Sequence, residues 1–133
     1  MLSIFNEEGT TLELSQITYT QPYWIILLPL IGAASDIITG WIQASVNSSW
    51  DSTVMRKGLY RKAGELLVVI LGCVAEYAVP MAHDAHVATF LSLYIVLMEV
   101  ISVVENLDRA GIAIPAVLKD RLQKTKDKID DGE

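Results

Sequence analysis

The sequence predicts an all-α membrane protein with three transmembrane helices and a short amphipathic helix near its carboxyl end. Two observations indicate this class. Of the 133 residues, 52% are hydrophobic, and all ten Lys and Arg residues lie in Arg56–Lys62, at Arg109 or in Lys119–Lys128. Long blocks without basic residues, separated by short basic clusters, are typical of proteins that cross the membrane several times.

The chain divides into three regions. Residues 1–21 are polar, carry several glutamates and are predicted to form an arm outside the cytoplasm, with one short helix at Thr11–Ile17. Residues 22–118 are predicted to form the membrane domain, and residues 119–133 a charged cytoplasmic tail.

Three apolar segments are predicted to span the membrane, at about residues 24–45, 63–82 and 87–107. Each has about twenty residues, the helix length that crosses a hydrocarbon core of about 30 Å. Between the first two spans, Val46–Lys62 is predicted to be a connector, because its Ser and Asn residues interrupt the apolar run. Its cluster of positive charge predicts a cytoplasmic basic loop, formed by Arg56, Lys57, Arg61 and Lys62.

The third span is predicted to end in a helix break at Gly111 and Pro115, since Gly often follows a helix end and Pro often starts a new helix. A short amphipathic helix is then expected over Pro115–Asp127. Three crossings put both basic clusters on one side of the membrane. The predicted topology therefore has the amino terminus outside and the carboxyl terminus in the cytoplasm.

The predicted spans contain polar side chains that lipid does not tolerate, because an ionised group near the bilayer centre costs at least roughly 2.5–3.5 kcal/mol. Three interpretations compete: a proton or cation relay, polar contacts that join helices, and the wall of a water-filled lumen. Three helices are too few to enclose a pore, so the last two require a homo-oligomer in the lipid bilayer. The candidate oligomerisation or pore residues are Asp36, Gly40, Gln43, Glu76, Glu99, Ser102, Glu105 and Asn106.

The sequence gives no reason to expect an enzyme, a cofactor or a nucleic-acid partner. It contains no Gly-rich phosphate loop, no nucleophile–base pair and no basic groove with interleaved aromatic residues. His83, Asp84 and His86 are interpreted as a polar surface turn rather than a metal site. No catalytic, cofactor-binding or metal-ligating residue is therefore predicted.

An ordered series of short motifs carries a family resemblance between about Leu30 and Lys124. The series runs through Asp36-Ile37-Ile38-Thr39-Gly40, Asp51-Ser52, Arg56-Lys57-Gly58-Leu59, Arg61-Lys62, Glu99-Val100-Ile101-Ser102, Glu105-Asn106, Gly111 and Ile114-Pro115. It resembles the toxin-secretion and phage-lysis holin family of phages that infect Gram-positive bacteria.

This resemblance implies a small protein that oligomerises in the host cytoplasmic membrane and opens lesions. A peptidoglycan hydrolase (endolysin) then leaves the cytoplasm and the host lyses. The alternatives are an antiholin or assembly factor, a holin that exports a toxin, and an accessory subunit of a proton-coupled transporter. The matching positions are Asp36, Thr39, Gly40, Lys57, Gly58, Lys62, Glu99, Ser102, Glu105, Asn106, Gly111 and Pro115.

Overall fold

The computed structural model describes residues 3–5, 11–13 and 23–132. Two short antiparallel strands pair near the amino terminus, with Ser3 opposite Glu13: β1 (Ser3–Phe5) and β2 (Thr11–Glu13). Everything described from residue 23 onward is helical or connecting: α1 (Trp24–Val46), α2 (Ser52–Ala78), α3 (Pro80–Asp84), α4 (Val87–Arg109) and α5 (Ala116–Asp131).

The strand β2 shows that the short helix expected at Thr11–Ile17 is wrong over its first three residues. Residues 14–17 lie outside the described ranges. The β-branched Thr11 favours extended backbone, and pairing with β1 provides the partner that the strand needs.

Helices α1 and α4 lie side by side and run in the same direction. At one end, the Ser92 hydroxyl donates to the carbonyl of Ile25 at 2.7 Å. At the other end, the side-chain amide of Asn47 donates to the carbonyl of Arg109 at 3.0 Å. α2 runs in the opposite direction and packs mainly against α4, with a smaller contact to α1.

The connector predicted over Val46–Lys62 is mostly helix, so that prediction is wrong. α2 begins at Ser52, and the carboxylate of Asp51 accepts the backbone N–H groups of Thr53 at 2.8 Å and Val54 at 3.3 Å. Ser, Thr and Asp favour helix amino termini for this reason, and here they start a helix rather than form a loop. The four residues predicted in a basic loop therefore lie on α2: Arg56, Lys57, Arg61 and Lys62.

The helix that holds the predicted second span is interrupted near its far end. α2 ends at Ala78, Val79 is extended, and Pro80 starts the short helix α3. A residue before proline disfavours the α conformation, which accounts for the break. His86 then adopts a left-handed conformation (φ 49°) before α4 begins.

Two helices in the described residues, α1 and α4, are long and apolar enough to cross a membrane, with mean hydropathies of 1.9 and 2.3. α2 is longer, at 27 residues, but it carries charged residues along its length. α4 ends at Arg109, Gly111 has φ +83°, and Pro115 immediately precedes α5. α5 then packs back against α4.

Candidate functional site

Three polar residues of α4 face α1 along a straight line. Ser92, Glu99 and Asn106 are spaced by seven residues. Seven residues are nearly two full helical turns, so these side chains share one face. We call this set the α4 seam. Hydrogen bonds to α1 anchor its two ends, and its central residue is an acid.

Asn106 binds α1 at the carboxyl-terminal end of the α4 seam through its side-chain amide. Its Nδ2 lies 2.9 Å from Oδ1 of Asp36, 3.3 Å from the Asp36 carbonyl and 3.2 Å from Oγ1 of Thr39. Gly40 follows, and a Cβ placed there would lie 3.7 Å from the same Asn106 nitrogen. Three of the five residues in the motif Asp36–Gly40, namely Asp36, Thr39 and Gly40, therefore lie against Asn106.

Glu99 occupies the middle of the α4 seam and is only 1% exposed. Gly32 of α1 lies directly against it: a Cβ built on Gly32 would stand 2.9 Å from the Cβ of Glu99 and 3.1 Å from its Cγ. Only a residue without a side chain permits this approach of the two helices.

A buried lysine forms an ion pair with Glu99. The Nζ of Lys62 lies 2.7 Å from Oε1 and 2.5 Å from Oε2 of Glu99, and 2.9 Å from Oδ2 of Asp36. The Lys62 side chain is 7% exposed. We call Lys62, Asp36 and Glu99 the Lys62 clasp, because each residue comes from a different one of the three long helices.

Other acids close to the clasp are also paired. Glu65 contacts Arg61 (Nε to Oε1, 3.1 Å) and Lys62 (Nζ to Oε2, 3.3 Å) on its own helix. Glu105 accepts from the Nζ of Lys126 on α5 at 2.9 Å, and its other oxygen is 3.9 Å from Arg109.

Glu76 lies away from these groups, at the opposite end of the helices. Its Oε2 accepts the backbone N–H of Ala88 at 2.8 Å. Ala88 lies in the first turn of α4, where backbone N–H groups have no partner within the helix and a negative charge is favoured. Glu76 thus joins α2 to the start of α4.

An open cleft of about 400 Å³ lies beside the Lys62 clasp, between α1, α2 and the end of α4. It brings together six of the eight candidate residues, whereas Glu99 is buried and Glu76 is remote. The six are Asp36, Gly40, Gln43, Ser102, Glu105 and Asn106. Arg61 and Lys62 line it as well, so its charged groups have both signs.

The charged groups of this region form ion pairs and hydrogen bonds with one another, some between helices and some within one helix. In the described ranges, no group of three His, Cys, Asp or Glu side chains is placed to hold a metal ion. The rings of His83 and His86 lie 6.4 Å apart, centroid to centroid.

Sequence reasoning missed two members of this site: Lys62 was assigned to a cytoplasmic loop, and Ser92 was not among the candidate residues. A helix start at Asp51-Ser52 places Lys62 nearly three turns into α2, immediately before the apolar segment that starts at Ala63. The helix-start signal at Asp51 was therefore the available clue.

Two of the described helices are long and apolar enough to cross a membrane, and charged groups are buried between the helices, as expected for a small helical membrane protein. A sequence model of the bacteriophage holin family matches residues 16–127, most of the chain. The chain belongs to the bacteriophage holin family, and the resemblance in its motifs is confirmed. This is a family of membrane proteins of phage lysis and not a family of enzymes. No curated protein and no solved structure matches the chain.

Proposed function

We propose that this holin oligomerises in the host cytoplasmic membrane and opens lesions through which a peptidoglycan hydrolase leaves the cytoplasm. The observation that carries the proposal is the distribution of polarity. Acids and amides lie between the helices, whereas large apolar side chains such as Ile31, Ile38 and Phe90 are exposed. A single chain can therefore reside in lipid, and a polar lumen needs several copies because three helices cannot enclose one.

We propose that α2 is a third crossing. Its 27 residues extend for about 40 Å, more than the thickness of a hydrocarbon core. Its charged amino-terminal half lies at the same end as Arg109 and α5, which favours a cytoplasmic location for that end. The amino terminus would then lie outside and the carboxyl terminus inside.

The eight candidate residues are proposed to act in assembly. In the isolated chain, polar partners within the bundle satisfy Asp36, Glu76, Glu99, Glu105 and Asn106. In an oligomer, the cleft that contains Gln43 and Ser102 would contribute to the polar wall of the lumen. This role makes no use of a cofactor or a metal.

Expression in a bacterium tests the function. We expect normal growth for a set interval, then abrupt loss of membrane potential, and lysis only when a cytoplasmic peptidoglycan hydrolase is produced as well. Unchanged potential at high levels of the protein in the membrane would contradict the proposal. Co-purification with a second holin in that case would instead identify an antiholin.

Labelling of cysteines tests the topology. In a Cys73→Ser background, a cysteine introduced by Asn6→Cys should react with an impermeant maleimide added to whole cells. One introduced by Gly132→Cys should react only after the cells are broken. The reverse pattern would invert the proposed orientation.

A further inference from the structure

We propose that α2 is the movable helix of this holin, and that the Lys62 clasp must open before the lumen forms. Opening would release α2 from the α1–α4 pair and expose Asp36 and Glu99 to water. This inference rests on the proposed lesion-forming function and adds the step that regulates it.

The packing of α2 supports this assignment. Of its 27 residues, only Lys62, Val69 and Gly72 are buried. Large side chains cover its outer face and are exposed, including Leu71, Val74 and Tyr77, the last being 96% exposed. Apolar side chains are solvated by lipid just as favourably as by another helix. Apolar contacts therefore hold α2 weakly, and its polar contacts determine where it lies.

The α1–α4 pair does not depend on α2. The bonds from Ser92 to Ile25 and from Asn106 to Asp36 and Thr39 join α1 to α4 without any group of α2. Gly32 brings the two helices together at the level of Glu99. Displacement of α2 therefore leaves a two-helix unit intact.

The charge pattern couples opening to assembly. No Lys or Arg occurs between Ala63 and Asp108, so the apolar part of α4 has no substitute cation for Glu99 once Lys62 moves away. A carboxylate left without its partner in a low-dielectric environment is strongly unfavourable. Opening is thus suppressed in a lone chain within lipid. It becomes possible once copies have associated and polar groups of a neighbouring copy face the two acids, before a lumen has formed.

A disulfide that ties α2 to α4 tests the inference directly. A Cβ on Gly72 would lie 3.4 Å from the Cα of Ala88, within the reach of a disulfide, and its closest neighbour is the flexible end of Leu91. The test protein carries Gly72→Cys and Ala88→Cys in a Cys73→Ser background. The single variant Gly72→Cys in the same background is its control.

Oxidation of the double-cysteine protein in the membrane should abolish depolarisation, and a membrane-permeant thiol should restore it. The single-cysteine control should depolarise the membrane under both conditions. Depolarisation by the oxidised, fully cross-linked protein would overturn the inference while leaving the holin function in place. A Cys73→Ser parent that never depolarises the membrane would instead overturn the proposed function.

Substitution within the clasp gives a second readout, the delay before depolarisation. Lys62→Met should shorten the delay about twofold at equal membrane levels, because the closed state loses its ion pairs. Lys124→Met removes an exposed positive charge from α5 and should leave the delay unchanged. Lys62→Glu combined with Glu99→Lys keeps one cation among three acids, as in the parent chain, and should restore the delay. A delay that stays short would count against the clasp.

Discussion

α4 and α2 each pack against both of the other long helices, and they are held in different ways. α4 has 23 residues and buries six of them, including Ser92, Ile95 and Glu99. α2 is longer yet buries three, and one of those is Lys62. In lipid, apolar area adds little to helix association, so close approach and polar bonds decide it. α4 has both along α1, whereas α2 has a close approach to α4 at Gly72 and is otherwise held by a few polar and charged contacts.

The largest effect is expected where α1 meets α4. Gly32→Ala should lower the free energy of unfolding by about 1–3 kcal/mol, because the new methyl group collides with the Cβ of the tightly held Glu99. Gly72→Ala is the matched control on α2, since its closest contact is the mobile Cδ1 of Leu91. Unfolding in bicelles by SDS titration measures both, and equal losses would contradict the difference between the two interfaces.

Asn106→Ala tests the hydrogen bonds of the α4 seam. The substitution leaves Asp36 and Thr39 without their amide donor, and we expect a loss of about 1–2 kcal/mol. The same titration measures it. Asn47→Ala removes one exposed amide contact and should have a smaller effect. A larger loss at Asn47 than at Asn106 would refute this account of the seam.

Glu76→Ala tests the bond that joins α2 to the start of α4. Loss of the acceptor for the Ala88 N–H should cost about 1 kcal/mol, as for other helix caps. Glu76→Gln keeps an acceptor oxygen and should recover most of that loss. Hydrogen exchange at the first amides of α4 should increase in Glu76→Ala only; equal exchange in the two variants would argue against a capping role.

The smallest effect is expected at α5. Lys126→Ala removes a partly exposed ion pair with Glu105 and should cost between 0 and about 1 kcal/mol, less at high salt. Lys128→Ala provides the charge-matched control. A salt-independent loss above that range would contradict the weak, solvent-screened contact between α5 and α4.

Much of the bundle could be predicted because its signals are local. Apolar length identified α1 and α4, and glycine followed by proline identified the break before α5. The seven-residue spacing of Ser92, Glu99 and Asn106 is present in the sequence, but only Glu99 and Asn106 were predicted as candidates. Their partners on α1 depend on the register in which two helices, far apart in sequence, pack in parallel. No local sequence pattern specifies that register.

The clasp could not be predicted for two physical reasons. The Ser and Asn residues before Lys62 were interpreted as a loop, although Asp51 caps a helix there. Lys62 also contacts Glu99 across 37 positions of sequence, so the contact depends on tertiary packing alone. The partner of Glu76 is a backbone N–H that becomes available only because the chain turns at His86.

The parallel course of α1 and α4 has an electrostatic consequence. Two helix macrodipoles point the same way, so their carboxyl ends, each equivalent to roughly half a negative charge, lie side by side near Asn47 and Arg109. The amino end of α2, of opposite polarity, follows α1 after a connection of only five residues, 47–51. Antiparallel α2 therefore partly cancels the field of the other two helices. If α2 moved away, Arg109 and the lysines of α5 would be the positive charges that remain to compensate the carboxyl ends of α1 and α4.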